Sequence, residues 1–253
     1  MTTFLFELCV ETLNAARAAE QGGADRIELC ARLDLSGITP DQQLTTTAVQ
    51  ALSIPVHVLI RPRGGTFLYT AEEFGLMKKQ VEWVKRAGAA GVALGVLLLD
   101  RRIDVARSRE LAELARPMKV TFHRAFDETP DLGEALEAVI STGVDCLLTS
   151  GGAPDVLTGV EQLRKLVAHA GNRIQIMAGG GLRLASIVEV LERTRVCRLH
   201  GSLTRRAGKP GPESVNGHTA VGNTDILEND VRTAVRLLRE HFGTRVTTVP
   251  SVS

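Results

Sequence analysis

Two identical tripeptides, Glu7-Leu8-Cys9 and Glu28-Leu29-Cys30, lie 21 residues apart. Each closes a short apolar run and is followed by a loop and a helix-like segment. In a strand, residues i and i+2 point to the same face, so each tripeptide aims a carboxylate and a thiol the same way. If both strands line one cavity, the site holds two Glu and two Cys. Such a set serves either acid/base chemistry or a soft metal ion.

Further reactive types follow other apolar runs: Arg61-Pro62-Arg63-Gly64-Gly65, His123-Arg124-Ala125-Phe126-Asp127, Thr149-Ser150-Gly151-Gly152, Ala178-Gly179-Gly180-Gly181 and His200-Gly201-Ser202. Glycines let backbone N–H groups approach an anion, and a helix N-terminus beyond them favours negative charge. Ser150, Gly151, Gly179, Gly180, Gly181, His200, Gly201 and Ser202 are therefore candidates for an anion site, with Arg63 beside them. The alternative is that these glycines only close tight turns. Arg61 and Arg63 flank a proline that aims one of them into the site, where Arg suits bidentate carboxylate or phosphate capture; a structural ion pair with Glu7 or Glu28 is the other reading. His123, with Asp127 four residues on, can act as a general base, a ligand or a satisfied core histidine. An enzyme on a small anionic or phosphorylated substrate would use Glu7, Glu28, Arg61, His123 and Asp127 as its catalytic residues. His57, His169, His218 and His241 read as ordinary surface or core residues.

The elements that must position these groups alternate from end to end. Apolar runs at 4–9, 25–29, 55–60, 91–95, 118–122, 145–149, 173–177 and 196–199 are separated by helix-like stretches at 11–21, 41–51, 71–87, 104–115, 131–141, 156–169, 184–193 and 225–241. The strings at 23–25, 87–89 and 142–145 read as helix C-caps running into strands. Eight βα units in 253 residues, with no second-domain linker, predict an α/β fold: one (β/α)8 TIM-barrel domain over 1–253, with an irregular loop at about 201–224. An open sheet is the alternative. In a barrel the reactive groups gather at the C-terminal ends of the strands, where all the candidates fall.

With 30 basic and 29 acidic side chains and net charge +1, nothing favours nucleic acid or a membrane surface. The four Cys (Cys9, Cys30, Cys146, Cys197) lack CxxC or finger spacing, which argues against a disulfide framework or a structural zinc site. No leader or spanning segment is evident at the start given, so a cytoplasmic location with reduced thiols is expected. A homodimer or higher homo-oligomer is open. Cys9 and Cys30, on strands about 4.8 Å apart, permit a two-thiolate Cu(I) site. Layers inside an eight-stranded barrel draw on alternate strands, however, so the two thiols are expected to be staggered and strained as a pair. Cys146 and Cys197 read as core residues inside strands 6 and 8.

Six strings together resemble the CutC family, described as copper homeostasis proteins: Gly-Gly-Ala-Asp-Arg-Ile-Glu-Leu-Cys at 22–30, Ile-Arg-Pro-Arg-Gly-Gly at 60–65, Thr-Phe-His-Arg-Ala-Phe-Asp at 121–127, Leu-Leu-Thr-Ser-Gly-Gly at 147–152, Met-Ala-Gly-Gly-Gly at 177–181 and His-Gly-Ser at 200–202. They run through almost the whole chain. The resemblance implies a TIM barrel, a cytoplasmic protein and a copper, Cu(I), site at Cys9 and Cys30, with a copper ion or a small anion as the partner. It does not imply a reaction. The chain departs from the pattern at Ser36, at Leu98-Leu99-Asp100-Arg101 and at Arg198-Leu199.

Overall fold

The structure is a computed structural model that describes residues 4–203 and 224–243. Eight parallel strands, β1 (Leu5–Val10), β2 (Arg26–Leu29), β3 (Val56–Leu59), β4 (Gly91–Leu94), β5 (Lys119–Phe122), β6 (Cys146–Thr149), β7 (Gln175–Gly179) and β8 (Arg198–Gly201), close into a ring in sequence order. Helices α1 (Leu13–Gln21), α2 (Gln42–Ala51), α3 (Ala71–Arg86), α4 (Val105–Ala115), α5 (Leu132–Ser141), α6 (Val160–Ala170), α7 (Ile187–Thr194) and α8 (Thr224–Phe242) follow one per strand. This is a (β/α)8 TIM barrel, and β1 pairing with β8 excludes the open sheet. Most of the loop expected at 201–224 lies outside the described residues, as does His218.

Local sequence sets the boundaries. Thr12, Asp41, Thr70, Asp104 and Asp131 each accept a hydrogen bond from a first-turn N–H of the next helix, the usual N-cap arrangement. Gly23, Gly88 and Gly143 turn the chain out of α1, α3 and α5 at φ of +90°, +85° and +81°, where a side chain would be strained. The helix expected from 156 begins only at Val160. Gly159 lies so close to Ser150 that a Cβ would sit 1.8 Å from its carbonyl oxygen, and the chain turns there before entering α6.

Alternate residues of each strand face opposite ways. Phe6, Leu8, Ile27, Leu29, Val58, Leu94, Val120, Phe122 and Leu147 face outward and are buried with Ala16, Met77, Leu111, Leu136, Leu163 and Val190 of the helices in one continuous core. The inward faces are different. Pairing followed once round the ring returns to β1 eight residues from its start, the stagger of TIM barrels, so inward residues stack in layers from alternate strands. Arg26, Gly91, Cys146 and Arg198 form a low layer; Glu7, His57, Thr121 and Met177 lie above it. Glu28, Ala93, Leu148 and His200 come next, then Cys9, Leu59, His123 and Gly179. Cys30, Gly95, Ser150 and Ser202 rim the mouth. Two small apolar clusters inside the ring, around Cys146, Leu148 and Met177 and around Cys9, Cys30, Leu59 and Ala93, flank a polar middle.

Bulky rings in these layers need empty positions beside them. A Cβ on Gly91 would come within 2.4 Å of the His57 ring, whereas one on Gly75 of α3 would meet nothing within 4 Å. Gly91→Ala is therefore expected to cost about 1–3 kcal/mol through overpacking. Gly75→Ala should leave stability unchanged or raise it by roughly 0.5–1 kcal/mol through helix propensity. Urea unfolding of the two variants checks this; equal effects would contradict the assigned interior.

Candidate functional site

Register brings the two tripeptides together. Glu7 pairs with Arg26 on one side and His200 on the other, and Cys9 pairs with Glu28. The carboxylate of Glu7, 1% exposed, accepts from Arg26 Nε through Oε2 and pairs with His200 Nδ1 at 2.7 Å through Oε1. Arg26 also reaches Met177 Sδ at 3.7 Å. Breaking a buried pair of this kind by removing one partner costs about 3–5 kcal/mol, because the other charge is left without compensation.

Above this pair sit the thiols. Cys9 Sγ lies 3.3 Å from Cys30 Sγ and donates to Glu28 Oε1 at 3.5 Å. Cys30 Sγ donates to the Val10 carbonyl at 3.6 Å. Cys9 and Cys30 do belong to successive layers, as the alternate-strand rule requires, but stagger does not part them: residues on the diagonal between adjacent strands still touch. Cys9 Sγ, a Glu28 oxygen and a ring nitrogen of His200 lie within 4.8 Å of one another. At metal–sulfur bonds of about 2.3 Å, thiolates 3.3 Å apart fit a bent S–metal–S unit as they stand. A linear one requires them to separate by roughly 1.3 Å. The two thiolates are donors of the kind a soft ion takes.

Burial and mutual charge divide the ionisable groups. Burial opposes the Glu7 charge, but Arg26 and then His200 outweigh it and hold the carboxyl well below the usual range. Burial, reinforced by the Glu7 charge, pushes Glu28 up, although His200 offsets part of the effect. The hydrogen bond with Cys30, and burial after it, raise the Cys9 thiol well above its ordinary value. Burial works against a charged His200, yet Glu28, Cys9 and Glu7 together raise it well above 6.5. His57 is pushed down to about 4 by burial and by Arg26.

The other expected residues are placed differently. Arg61 is buried, and it braces the chain after β2: Nη1 donates to the carbonyls of Leu35, Ser36 and Gly37 and Nη2 to that of Gly65. The expected ion pair with Glu7 or Glu28 belongs instead to Arg26. Arg63 is bound to Glu73 at the start of α3 and to the carbonyls of Gly64, Thr66 and Leu68. His123 reaches the mouth layer, but it does not pair with Asp127. Its Nδ1 accepts from the Ala125 N–H at 3.2 Å, its ring packs 4.9 Å from that of Phe67, and burial with Arg61 lowers it to about 3. Asp127 instead accepts from Thr149 Oγ1, Ser150 N–H and Oγ, Gly152 N–H and Arg124 Nε. Of the amides expected to cradle an anion after β6, that of Ser150 thus already holds a carboxylate, and that of Gly151 donates to Thr149 Oγ1 at 2.8 Å.

Gly151 packs against Gly159 and Leu163, Gly180 lies under the Arg124 guanidinium, and Gly181 lies against Asp155. Gly179 makes room for Leu148 and His200. Gly201 ends β8 and Ser202 follows it. His200, expected among the anion ligands, belongs with Glu7, Cys9 and Glu28. Cys146 is buried inside the ring, but Cys197 precedes β8 and is half-buried, not core. His169 and His241 are in the last turns of α6 and α8.

Arg26 is an interior charged residue with no counterpart among the sequence candidates, and His57, expected as an ordinary surface or core residue, is buried in the interior. Both were within reach of the period-2 rule: Arg26 is two before Glu28 and His57 two before Leu59.

Fold and site together define a TIM barrel whose polar interior carries a buried thiol pair at its C-terminal mouth. The CutC family matches residues 4–205, and the chain belongs to that family. A CutC family protein of Caulobacter vibrioides is 43% identical over 238 residues, 93% of this chain and 97% of that one. The human copper homeostasis protein cutC homolog is 39% identical over 219 residues, covering 87% and 80%. The crystal structure of a CutC protein from Streptococcus agalactiae superposes with TM-score 0.76 at 29% identity, over 80% of this chain and all of that one. An aldolase and a thiamine phosphate pyrophosphorylase from Pyrococcus furiosus, both 17% identical at TM-score 0.61, share the fold alone.

The low His57 value has a measurable sign. The folded ring stays neutral down to about pH 4 while the unfolded one protonates near 6.5. Between those values the unfolded chain binds more protons, so His57 makes stability fall on acidification, by up to roughly 3 kcal/mol. The stability advantage of wild type over His57→Gln should therefore shrink as pH drops from 6.5 to 4 in urea unfolding. A constant difference would contradict a buried neutral His57.

Proposed function

We propose that the protein binds Cu(I) through Cys9 and Cys30 and serves copper homeostasis in a reducing, cytoplasmic compartment as a single domain. The observation that carries this is the 3.3 Å approach of the two sulfurs at the barrel mouth. Soft thiolates select Cu(I), and all four cysteines are free. The name of the human relative, a copper homeostasis protein cutC homolog, points the same way. Cys9 is 7% exposed and Cys30 fully buried, so an ion enters past Cys9. The thiol pair is preferred over an anion-handling enzyme because Arg61, Arg63 and Asp127, the residues such an enzyme would use, are committed to loop carbonyls, Glu73 and the amides after β6.

The reduced chain should take up about one Cu(I) in competition with a colorimetric Cu(I) chelator. Cys9→Ser combined with Cys30→Ser should abolish uptake and Cys146→Ser should leave it intact. Unchanged uptake by the double variant would sink the proposal.

A further inference from the structure

The cluster holds a second donor set that shares only Cys9 with the thiol pair. We propose that Cys9, Glu28 and His200 form a site for a borderline divalent cation of the zinc type, distinct from the Cys9–Cys30 pair and independent of whether that pair takes Cu(I). One thiolate, one carboxylate and one imidazole, with ligand atoms within 4.8 Å of one another, are the N, O and S donors that Zn(II) and Co(II) accept in tetrahedral sites. Cu(I) has no preference for the carboxylate.

The surroundings are built for such an ion. His200 commits Nδ1 to the Glu7 carboxylate at 2.7 Å, which leaves Nε2 as the nitrogen an ion can take. A carboxylate on the far nitrogen is the device that fixes ring orientation and raises basicity in histidine metal ligands. Glu7 is itself anchored by Arg26 from the layer below, so the orienting carboxylate cannot swing up to become a ligand. Charge also balances. A dication with the Cys9 thiolate, the Glu28 carboxylate and a neutral His200 sums to zero, and Glu7 with Arg26 sums to zero beneath it. A buried site demands this, since uncompensated buried charge is costly. The ligands come from β1, β2 and β8, three neighbours across the closing seam, where parallel pairing fixes their spacing. Binding displaces the protons of Cys9 and His200 into solvent. Three protein ligands leave one coordination position open, the arrangement of reactive rather than structural zinc sites.

The test uses reduced full-length chain freed of metal and titrated anaerobically with Co(II), whose sulfur-to-cobalt charge-transfer absorption reports a thiolate ligand. One equivalent should produce the band. Cys9→Ser should remove the band, and Glu28→Gln and His200→Asn should each weaken Co(II) binding at least tenfold. Cys30→Ser should keep the band while losing Cu(I) uptake. Glu28→Gln, isosteric with the native residue, is the variant that guards against misfolding, with thermal melting as its control. Absence of the band in wild type, Co(II) binding indifferent to Glu28→Gln and His200→Asn, or a band that needs Cys30 but not His200 would each overturn the divalent site. Co(II) binding as proposed with no Cu(I) uptake would overturn the copper reading alone.

Discussion

Everything at this site depends on a carboxylate that the barrel should not tolerate. Glu7 is inside a ring of strands, out of reach of water, where an isolated charge would be prohibitive. It is held there by Arg26 from one neighbouring strand and His200 from the other. That three-residue bridge crosses the seam where β8 meets β1, so closure of the ring and neutralisation of the charge are the same event. With Glu7 satisfied, the two layers above can hold Glu28, His200 and Cys9 close together. With Glu7 unpaired, neither His200 nor Arg26 would have a fixed orientation.

The pKa directions express this division of labour. Glu7 carries a settled negative charge, His200 is drawn toward the positive form, and Glu28 and Cys9 are pushed toward their neutral forms. The last two are the groups a metal ion would stabilise as anions, because an arriving cation offsets the burial penalty on their charged forms. The lower pair is neutralised within the protein, and the groups above it are those whose charged forms a bound cation would favour. Buried apolar side chains share these layers with the polar groups, Met177 beside Glu7 and Ala93 with Leu148 beside Glu28 and His200.

Much of this was legible in the sequence. The alternation of apolar runs and amphipathic stretches gave all eight units, and period 2 put Glu7 with Cys9 and Glu28 with Cys30 on common faces. Register was not legible. Nothing local says that Glu7 faces Arg26 and His200, because strand pairing is fixed by packing of the whole outer core. For the same reason the stagger of Cys9 and Cys30 was foreseen but its consequence misjudged: diagonal neighbours on twisted strands still meet. His123 and Asp127 share a short turn four residues apart, yet hydrogen bonds to Ala125 and to the amides after β6 send them different ways. Arg61 satisfies carbonyls of the loop after β2 and Arg63 those of its own loop, a demand that residue type alone does not reveal.

The central claim is that two sulfurs from adjacent strands ligate one copper ion at the mouth of the barrel. X-ray absorption at the copper edge of the Cu(I)-loaded chain reads this directly. The account predicts Cu(I) with two sulfur scatterers per copper. A copper surrounded only by nitrogen and oxygen would contradict it.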